Sequence, residues 1–267
     1  MGRSQNLFPV ATSVFTANIR AMPERAPRSK KRQGADMRFH ERALPRWLPW
    51  FLSVPAAPHV QADADSDAYV DLHTFQTVKA FEELRQTGVL EGSPRYWEPD
   101  FAEAYGWMKR EMDCRLPTSG DGMVWMWAAT TRRELLNSAR RYRGEVLISV
   151  RLPRKQVLLS HFGDWHSVLN RTLLIRGDHD LPWPDWEARF DRSWDEWSER
   201  TSHCDQMSLA SWPRPLREEL ERSWQSIFDP SAWVESYDGA SWVPARHIQA
   251  TTHRITLDAV TRAVRLL

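Results

Sequence analysis

One stretch of the chain, Leu158–Asn170 (LLSHFGDWHSVLN), places an imidazole and an amide directly after an apolar run that predicts a strand. An imidazole can serve as acid, base or metal ligand near neutral pH. His166 and Asn170 lie four residues apart, so on a helix they would share one face and could hold one ligand. We therefore predict His166 as a catalytic acid or base with Asn170 as a ligand-binding neighbour.

Two residues of this stretch also have structural interpretations. Asp164 precedes the predicted helix, where a carboxylate caps the free N–H groups of the first turn, so we expect it at the N-cap. His166 is equally consistent with a structural histidine that is hydrogen-bonded to a main-chain carbonyl. Trp165 is a candidate stacking wall for a ligand.

A second set of polar residues lies on predicted strands. Strand alternation places His73 on one face of the sequence HTFQ, with Thr74 and Gln76 on the other. A polar side chain on a buried face needs a hydrogen-bonding partner, which a ligand can supply. The predicted ligand-binding residues are His73, Thr74, Gln76, Trp165, Asn170 and Gln249.

The motif search finds no signature of a known chemistry. His161 and His166 lack the i,i+4 spacing of a helical zinc pair, and no H-E-x-x-H occurs, so no metal site is predicted. The chain also has no P-loop, no G-x-G-x-x-G and no G-x-S-x-G.

The elements that must position these residues follow from hydrophobic periodicity. The predicted strands are Tyr69–Thr77, Met123–Thr130, Gly144–Pro153, Gln156–Ser160 and Arg246–Ile255. The predicted helices are one from a Thr77 cap to Gly88, then Pro99–Asp113, Pro182–Arg200, Arg214–Asp229, and a last one capped by Thr256. The spacing is not that of regular βαβ units, so we predict a single compact α+β domain with a mixed β-sheet flanked by helices.

Tryptophan is unusually frequent, with 15 in 267 residues. Four aromatic residues, Trp186, Phe190, Trp194 and Trp197, form one stripe on the predicted helix Pro182–Arg200. We expect this stripe to face the core, because that is the commoner use of such a pattern. An exposed stripe would instead indicate a surface that contacts a protein partner.

Composition limits the function classes. The chain has 36 Lys/Arg and 35 Asp/Glu, of which residues 1–67 hold 10 and 6, which leaves a mildly acidic remainder of 26 and 29. This charge argues against nucleic-acid binding by the main body, which would need a basic face to neutralise phosphates. No apolar run is long enough for a membrane span, and two isolated cysteines suit a reducing, cytoplasmic location.

Residues 1–67 are rich in Arg, Pro and Ala and show no sustained period. We predict a disordered or non-native N-terminal extension there, followed by one globular domain over residues 68–267.

Several segments resemble a bacterial family known only as domain of unknown function 3841. The matching segments are TFQT (Thr74–Thr77), TGVL (Thr87–Leu90), AYGWMKREM (Ala104–Met112), VLLSHFGDWHSVLN (Val157–Asn170), SWQSIFD (Ser223–Asp229) and IQATTHRITLDAV (Ile248–Val260). They run in order across about Val70–Leu267, which the resemblance implies is the family domain.

The layout of a polar first strand, a helix ending in GVL and a last strand leading into ITLDAVTRAV looks like that of ADP-ribosyltransferases. The resemblance implies NAD as a ligand, with His73 or Thr74 at its ribose and Gln249 at the position of a catalytic glutamate. Gln249 carries no charge to stabilise a developing cation, which departs from that pattern.

From the sequence we predict a domain that binds a small polar ligand or a nucleotide, NAD among the candidates, with enzymatic activity of the ADP-ribosyltransferase type left open. The alternative is a non-enzymatic protein-interaction module of a regulatory or defence pair.

Overall fold

In the computed structural model, the described residues are 39–41, 68–129, 140–178, 180–230, 233–237, 242–244 and 247–266, with only the main chain described for 39–41, 234–237 and 242–244. Apart from residues 39–41, the predicted N-terminal extension (residues 1–67) lies outside these ranges.

Eleven strands occur among the described residues. They are β1 (Phe39–Glu41), β2 (Tyr69–Gln76), β3 (Val89–Glu91), β4 (Val124–Ala129), β5 (Val146–Pro153), β6 (Leu158–His161), β7 (Val234–Tyr237), β8 (Trp242–Pro244), β9 (Ile248–Thr252), β10 (Arg254–Thr256) and β11 (Val260–Arg265). Seven form one sheet in the order β1-β11-β5-β2-β4-β9-β6. All neighbours in it are antiparallel except β1 and β11, which pair in parallel. The prediction of an α+β fold with a mixed sheet is confirmed.

Five α-helices accompany the strands in the described ranges: α1 (Val78–Thr87), α2 (Ala102–Arg115), α3 (Phe162–Leu169), α4 (Trp183–Thr201) and α5 (Arg214–Trp224). The predicted limits of α1 are confirmed. Thr77 Oγ1 accepts a hydrogen bond from the Ala80 N–H at 3.0 Å, and Gly88 ends the helix with φ 83°, a left-handed conformation that glycine adopts without strain. None of these helices is both long and apolar enough to cross a bilayer.

The predicted C-terminal helix is wrong. After Thr256 the chain makes a single 3₁₀ turn, Leu257–Ala259, and then runs as β11 along the edge of β5. The register of Val264 opposite Leu147 pairs main-chain groups of β5 that a helix would leave without ladder partners. The main-chain pairing with β5 therefore outweighs the helical period of the hydrophobic residues in this segment.

The sheet is buried on both faces. Side chains such as Leu72 and Ile148 pack under Phe81 and Leu84 of α1 on one face. The other face lies under α2, α3 and α5 and is built around aromatic side chains. Those with the lowest exposure there are Trp107, Trp165, Trp224 and Tyr105. Most of the binding residues predicted above therefore lie in a setting where a polar group needs a partner.

The aromatic stripe of α4 is only partly in the core. Trp197 is buried against Trp212, with ring centroids 6.1 Å apart, as predicted. Trp186 and Phe190 are half-buried, and Trp194 is 36% exposed, so the prediction of a core-facing stripe is wrong for Trp194. The rings of Phe190 and Trp194 instead stack on each other along the helix, at 6.2 Å.

A second, two-stranded sheet joins β3 to β10 beside the main one. Just after β3, the Gly92 N–H donates to the His253 carbonyl at 3.2 Å. A Cβ atom at Gly92 would lie 2.1 Å from Met123 N, so the two main chains touch directly. This contact places the turn after β3 against the start of β4.

We expect Gly92→Ala to lower the free energy of unfolding by about 1–3 kcal/mol, because the new methyl group must push one main chain away from the other. Urea denaturation at pH 7 measures the change. The matched control is Gly106→Ala within α2, where the nearest atom to the added Cβ is the flexible Arg110 Nη1 at 3.9 Å. There alanine is expected to raise the free energy by about 0.5–1 kcal/mol, and equal effects at both sites would contradict the close contact.

Candidate functional site

The main sheet opens between β2 and β4. These strands share a single bridge, His73 with Trp127. Beyond it, residues 74–76 pair only with β5 on their far side, and residues 124–126 pair only with β9. Thr74 Oγ1 donates to Trp125 O at 2.8 Å, so a side-chain hydroxyl occupies the place of a main-chain N–H. The two strands consequently separate at this end of the sheet.

A cleft of about 410 Å³ lies at this opening. Its volume falls within the range of small-molecule sites. The lining comes from β2, α1, β3, the turn after β3, and the start of β4 with the loop before it. The lining includes the polar or charged side chains of Thr74, Gln76, Glu83, Glu91, Ser93, Arg95, Tyr96 and Asp121, and Trp125 as an aromatic one.

Two of the predicted binding residues, Thr74 and Gln76, lie in this cleft and bond to each other. Gln76 Nε2 donates to Thr74 Oγ1 at 2.8 Å. The Trp125 carbonyl can only accept a hydrogen bond, so the Thr74 hydroxyl proton points to it. Thr74 Oγ1 must therefore accept from Gln76, which fixes the direction of the bond between the two side chains. The amide oxygen of Gln76 is left as an acceptor, and it has no hydrogen-bond partner in the part of the chain that the structure describes.

Most of the charged residues that the structure describes in the lining of the cleft are negative. Glu83, Glu91 and Asp121 are exposed carboxylates, and none makes an ion pair with another described residue. Arg95 is the basic residue of the lining, and its guanidinium carbon lies 5.2 Å from the centre of the Tyr96 ring. Three carboxylates and one guanidinium are therefore the charged groups among the described residues of the lining.

His73 and Gln249 lie on the opposite face, in one row across the sheet. His73 pairs in register with Ser149 and Trp127, and Trp127 pairs with Gln249, which in turn pairs with Ser160. His73 Nδ1 lies 2.9 Å from Ser149 Oγ, and burial lowers the pKa of His73 to about 4 despite the nearby Asp71. The ring is thus neutral at physiological pH.

Gln249 and Ser160 are both fully buried, and neither side chain has a hydrogen-bond partner within the described residues. A buried amide or hydroxyl without a partner costs about 1–3 kcal/mol. These groups mark the most polar point of the helix-covered face.

His166 and Asn170 lie on α3 and bond to main-chain groups. His166 Nδ1 is 3.0 Å from the Phe162 carbonyl oxygen, which can only accept, so Nδ1 carries the proton. Burial is the main cause of a lowered His166 pKa. Asn170 Nδ2 donates to the His166 carbonyl at 2.8 Å. This is the structural arrangement foreseen as the alternative for His166, whose catalytic role stays a prediction.

The predicted N-cap role of Asp164 is wrong. Helix α3 begins two residues earlier, at Phe162, with His161 at the cap position. Asp164 lies in the first turn, and its Oδ2 is 2.9 Å from His161 Nδ1. A carboxylate in a first turn still interacts favourably with the helix dipole.

Trp165 lies in the aromatic core rather than in the lining of the cleft. Its ring centroid is 5.0 Å from that of Trp125 and 6.2 Å from that of Tyr105. The seven predicted site residues therefore form separate groups: the cleft pair, the cross-strand row, the α3 pair and this buried indole. The described residues contain no group of three His, Cys, Asp or Glu that could hold a metal ion.

Sequence reasoning missed most of the cleft. Glu83, Arg95 and Asp121 come from a helix, a 3₁₀ turn and a loop, and no motif links them. It also missed a polar cluster beside the cleft, in which His253 lies 3.0 Å from Asp113 Oδ1 and 2.9 Å from Thr118 Oγ1. That cluster ties the loop before β4 to α2.

We expect His73 to make the fold less stable in acid. Between pH 6.5 and about 4 the unfolded chain binds a proton that the folded protein excludes, so the free energy of unfolding falls as pH falls. The contribution of His73 between pH 7 and pH 5 is about 2 kcal/mol. Urea denaturation at both pH values measures the loss of free energy of unfolding on acidification. That loss should be smaller in His73→Gln than in the wild type by the contribution of His73. In His203→Gln, a change at an exposed position, the loss should equal that of the wild type. Equal losses in His73→Gln and the wild type would contradict a buried neutral imidazole.

Comparison with known proteins gives a family and no function. No curated protein and no solved structure matched the chain. Residues 71–261, more than half of the chain, match one family model, and they include all of β4 and residues 71–76 of β2. The protein therefore belongs to the family described as Domain of unknown function (DUF3841).

Proposed function

We propose that this domain binds a small polar ligand in the cleft between β2 and β4. The observation that carries the proposal is the cleft beside residues 74–76 of β2 and 124–126 of β4, which have no ladder pairing with each other and where Thr74 Oγ1 donates to the Trp125 carbonyl. Strand edges without ladder partners hold main-chain groups that a ligand can pair with. The family match and the free thiols of Cys114 and Cys204 are compatible with the cytoplasmic binding domain expected from the sequence.

A nucleotide such as NAD is the less favourable occupant. Its phosphates would lie near Glu83, Glu91 and Asp121 with Arg95 as the basic partner in the lining. Like charges disfavour binding by amounts that Arg95 alone does not offset. The layout argument for an ADP-ribosyltransferase is weaker as well, because the segment after β10 is a strand and not the expected helix.

The second candidate, a protein-interaction module, is favoured by one observation. Trp194 exposes 36% of its surface on α4, next to the half-buried Phe190. A partly exposed aromatic pair on a helix is typical of contact surfaces. We rank this candidate second because the two residues form a small patch, whereas the cleft offers a partly enclosed volume of about 410 Å³.

A thermal-shift screen of the full chain tests the first candidate. The screen uses NAD, ATP, AMP, sugars, amino acids and amines at millimolar concentration. A ligand at a hundredfold excess over its Kd stabilises the native state by about 2.7 kcal/mol, which raises Tm by about 5–10 °C for a domain of this size. We expect at least one class of compound to give such a shift.

Ser93→Phe locates the binding. Ser93 lines the cleft, so a phenyl ring there should fill it and abolish the shift. Ser119→Phe is the matched control, because Ser119 is exposed outside the lining. A shift that persists in Ser93→Phe, or the lack of a shift with every class, would refute the proposal.

A further inference from the structure

We propose that the ligand of the cleft is a small organic cation of the amine, amidine or guanidine class. This inference rests on the proposed function, since it names the chemistry of the molecule that enters the same cleft.

A polar atom of a largely buried residue in the lining of the cleft is an acceptor without a partner among the described residues. Gln76 is 93% buried and lines the cleft, with its Nε2 committed to Thr74 Oγ1 and its Oε1 without a partner among the described residues. Trp125 O fixes the direction of this chain of bonds, so the amide cannot turn over and offer its donors without losing a hydrogen bond. A ligand that satisfies Gln76 must donate.

The rim of the cleft favours positive charge. Glu83 on α1, Glu91 on β3 and Asp121 before β4 belong to three different elements of the lining, and Arg95 is the basic residue among the described residues there. The surplus of negative charge attracts a cation, and the partial enclosure of the cleft strengthens that attraction relative to open water.

Arg95 itself makes a contact of the kind that stabilises a positive group beside an aromatic ring. The Arg95 guanidinium lies over the Tyr96 ring, 5.2 Å from its centroid, as in a cation–π contact. Arg95 is exposed, so its charge faces solvent rather than the buried end at Gln76. A positively charged ligand with several N–H groups can therefore donate hydrogen bonds both to Gln76 Oε1 and to the carboxylates of the lining.

Three probes of nearly the same shape separate charge from fit: benzamidine is a cation, benzamide is neutral and benzoate is an anion. Isothermal titration calorimetry of the full chain at low ionic strength measures each Kd. We expect benzamidine to bind at least tenfold more tightly than benzamide, and benzoate to give no binding at 10 mM. Ser93→Phe should abolish the benzamidine signal.

A double variant tests the carboxylates. Glu83→Gln with Asp121→Asn should reduce the preference for benzamidine over benzamide at least tenfold while leaving the benzamide Kd unchanged. The matched control, Glu82→Gln with Asp258→Asn, removes the same formal charge at exposed positions outside the lining and should keep the preference. Unfolding curves of both variants confirm that the fold is retained.

The outcomes separate the two proposals. Equal affinity for the three probes, tighter binding of benzoate, or a nucleotide that binds in the wild type and not in Ser93→Phe would overturn the cationic ligand and leave the cleft as a binding site. Absence of benzamidine binding also overturns the cationic ligand. Binding of every probe unchanged in Ser93→Phe overturns the cleft itself.

Discussion

The hydrogen bond from Thr74 Oγ1 to Trp125 O occupies the place where a main-chain N–H of β2 would pair with β4. Residues 74–76 and 124–126 have no ladder pairing with each other, and the cleft lies beside them. Gln76 Nε2 donates to Thr74 Oγ1, and the Gln76 amide oxygen keeps no partner among the described residues. The hydrogen bonds of one threonine thus connect the position of the cleft with the acceptor character of Gln76.

The polar side chains on the two buried faces of the sheet differ in their hydrogen-bond partners and in their access to solvent. On the α1 face, Thr74 and Gln76 are hydrogen-bonded to each other in the lining of the cleft, and the Gln76 amide oxygen remains without a partner among the described residues. On the helix-covered face, His73 is paired with Ser149, whereas the side chains of Gln249 and Ser160 find no protein group. Polar residues of similar type therefore have different meanings, depending on whether the surrounding layer gives them access to a ligand.

Local patterns were sufficient for most of the elements and insufficient for the cleft. Thr77 and Gly88 act through their own main chain and neighbours, so sequence reasoning placed α1 correctly. The segment after Thr256 followed a helical period and became a strand, because an unpaired edge of β5 was available to it. Residues such as Glu83 and Asp121 share a site only after β2 and β4 have separated, and that separation depends on a side-chain contact that no spacing rule encodes.

The short parallel pairing of β1 with β11 protects one side of the main sheet. The main-chain groups of Ala263–Arg265 that meet residues 39–41 would otherwise form an open strand edge, and such edges recruit strands from neighbouring molecules. A chain shortened to begin at residue 68 would lose that cover while retaining every residue of the cleft. Compared with the full-length protein, the shortened chain would aggregate more readily in solution. Its folding and its ligand recognition would not be the properties that change.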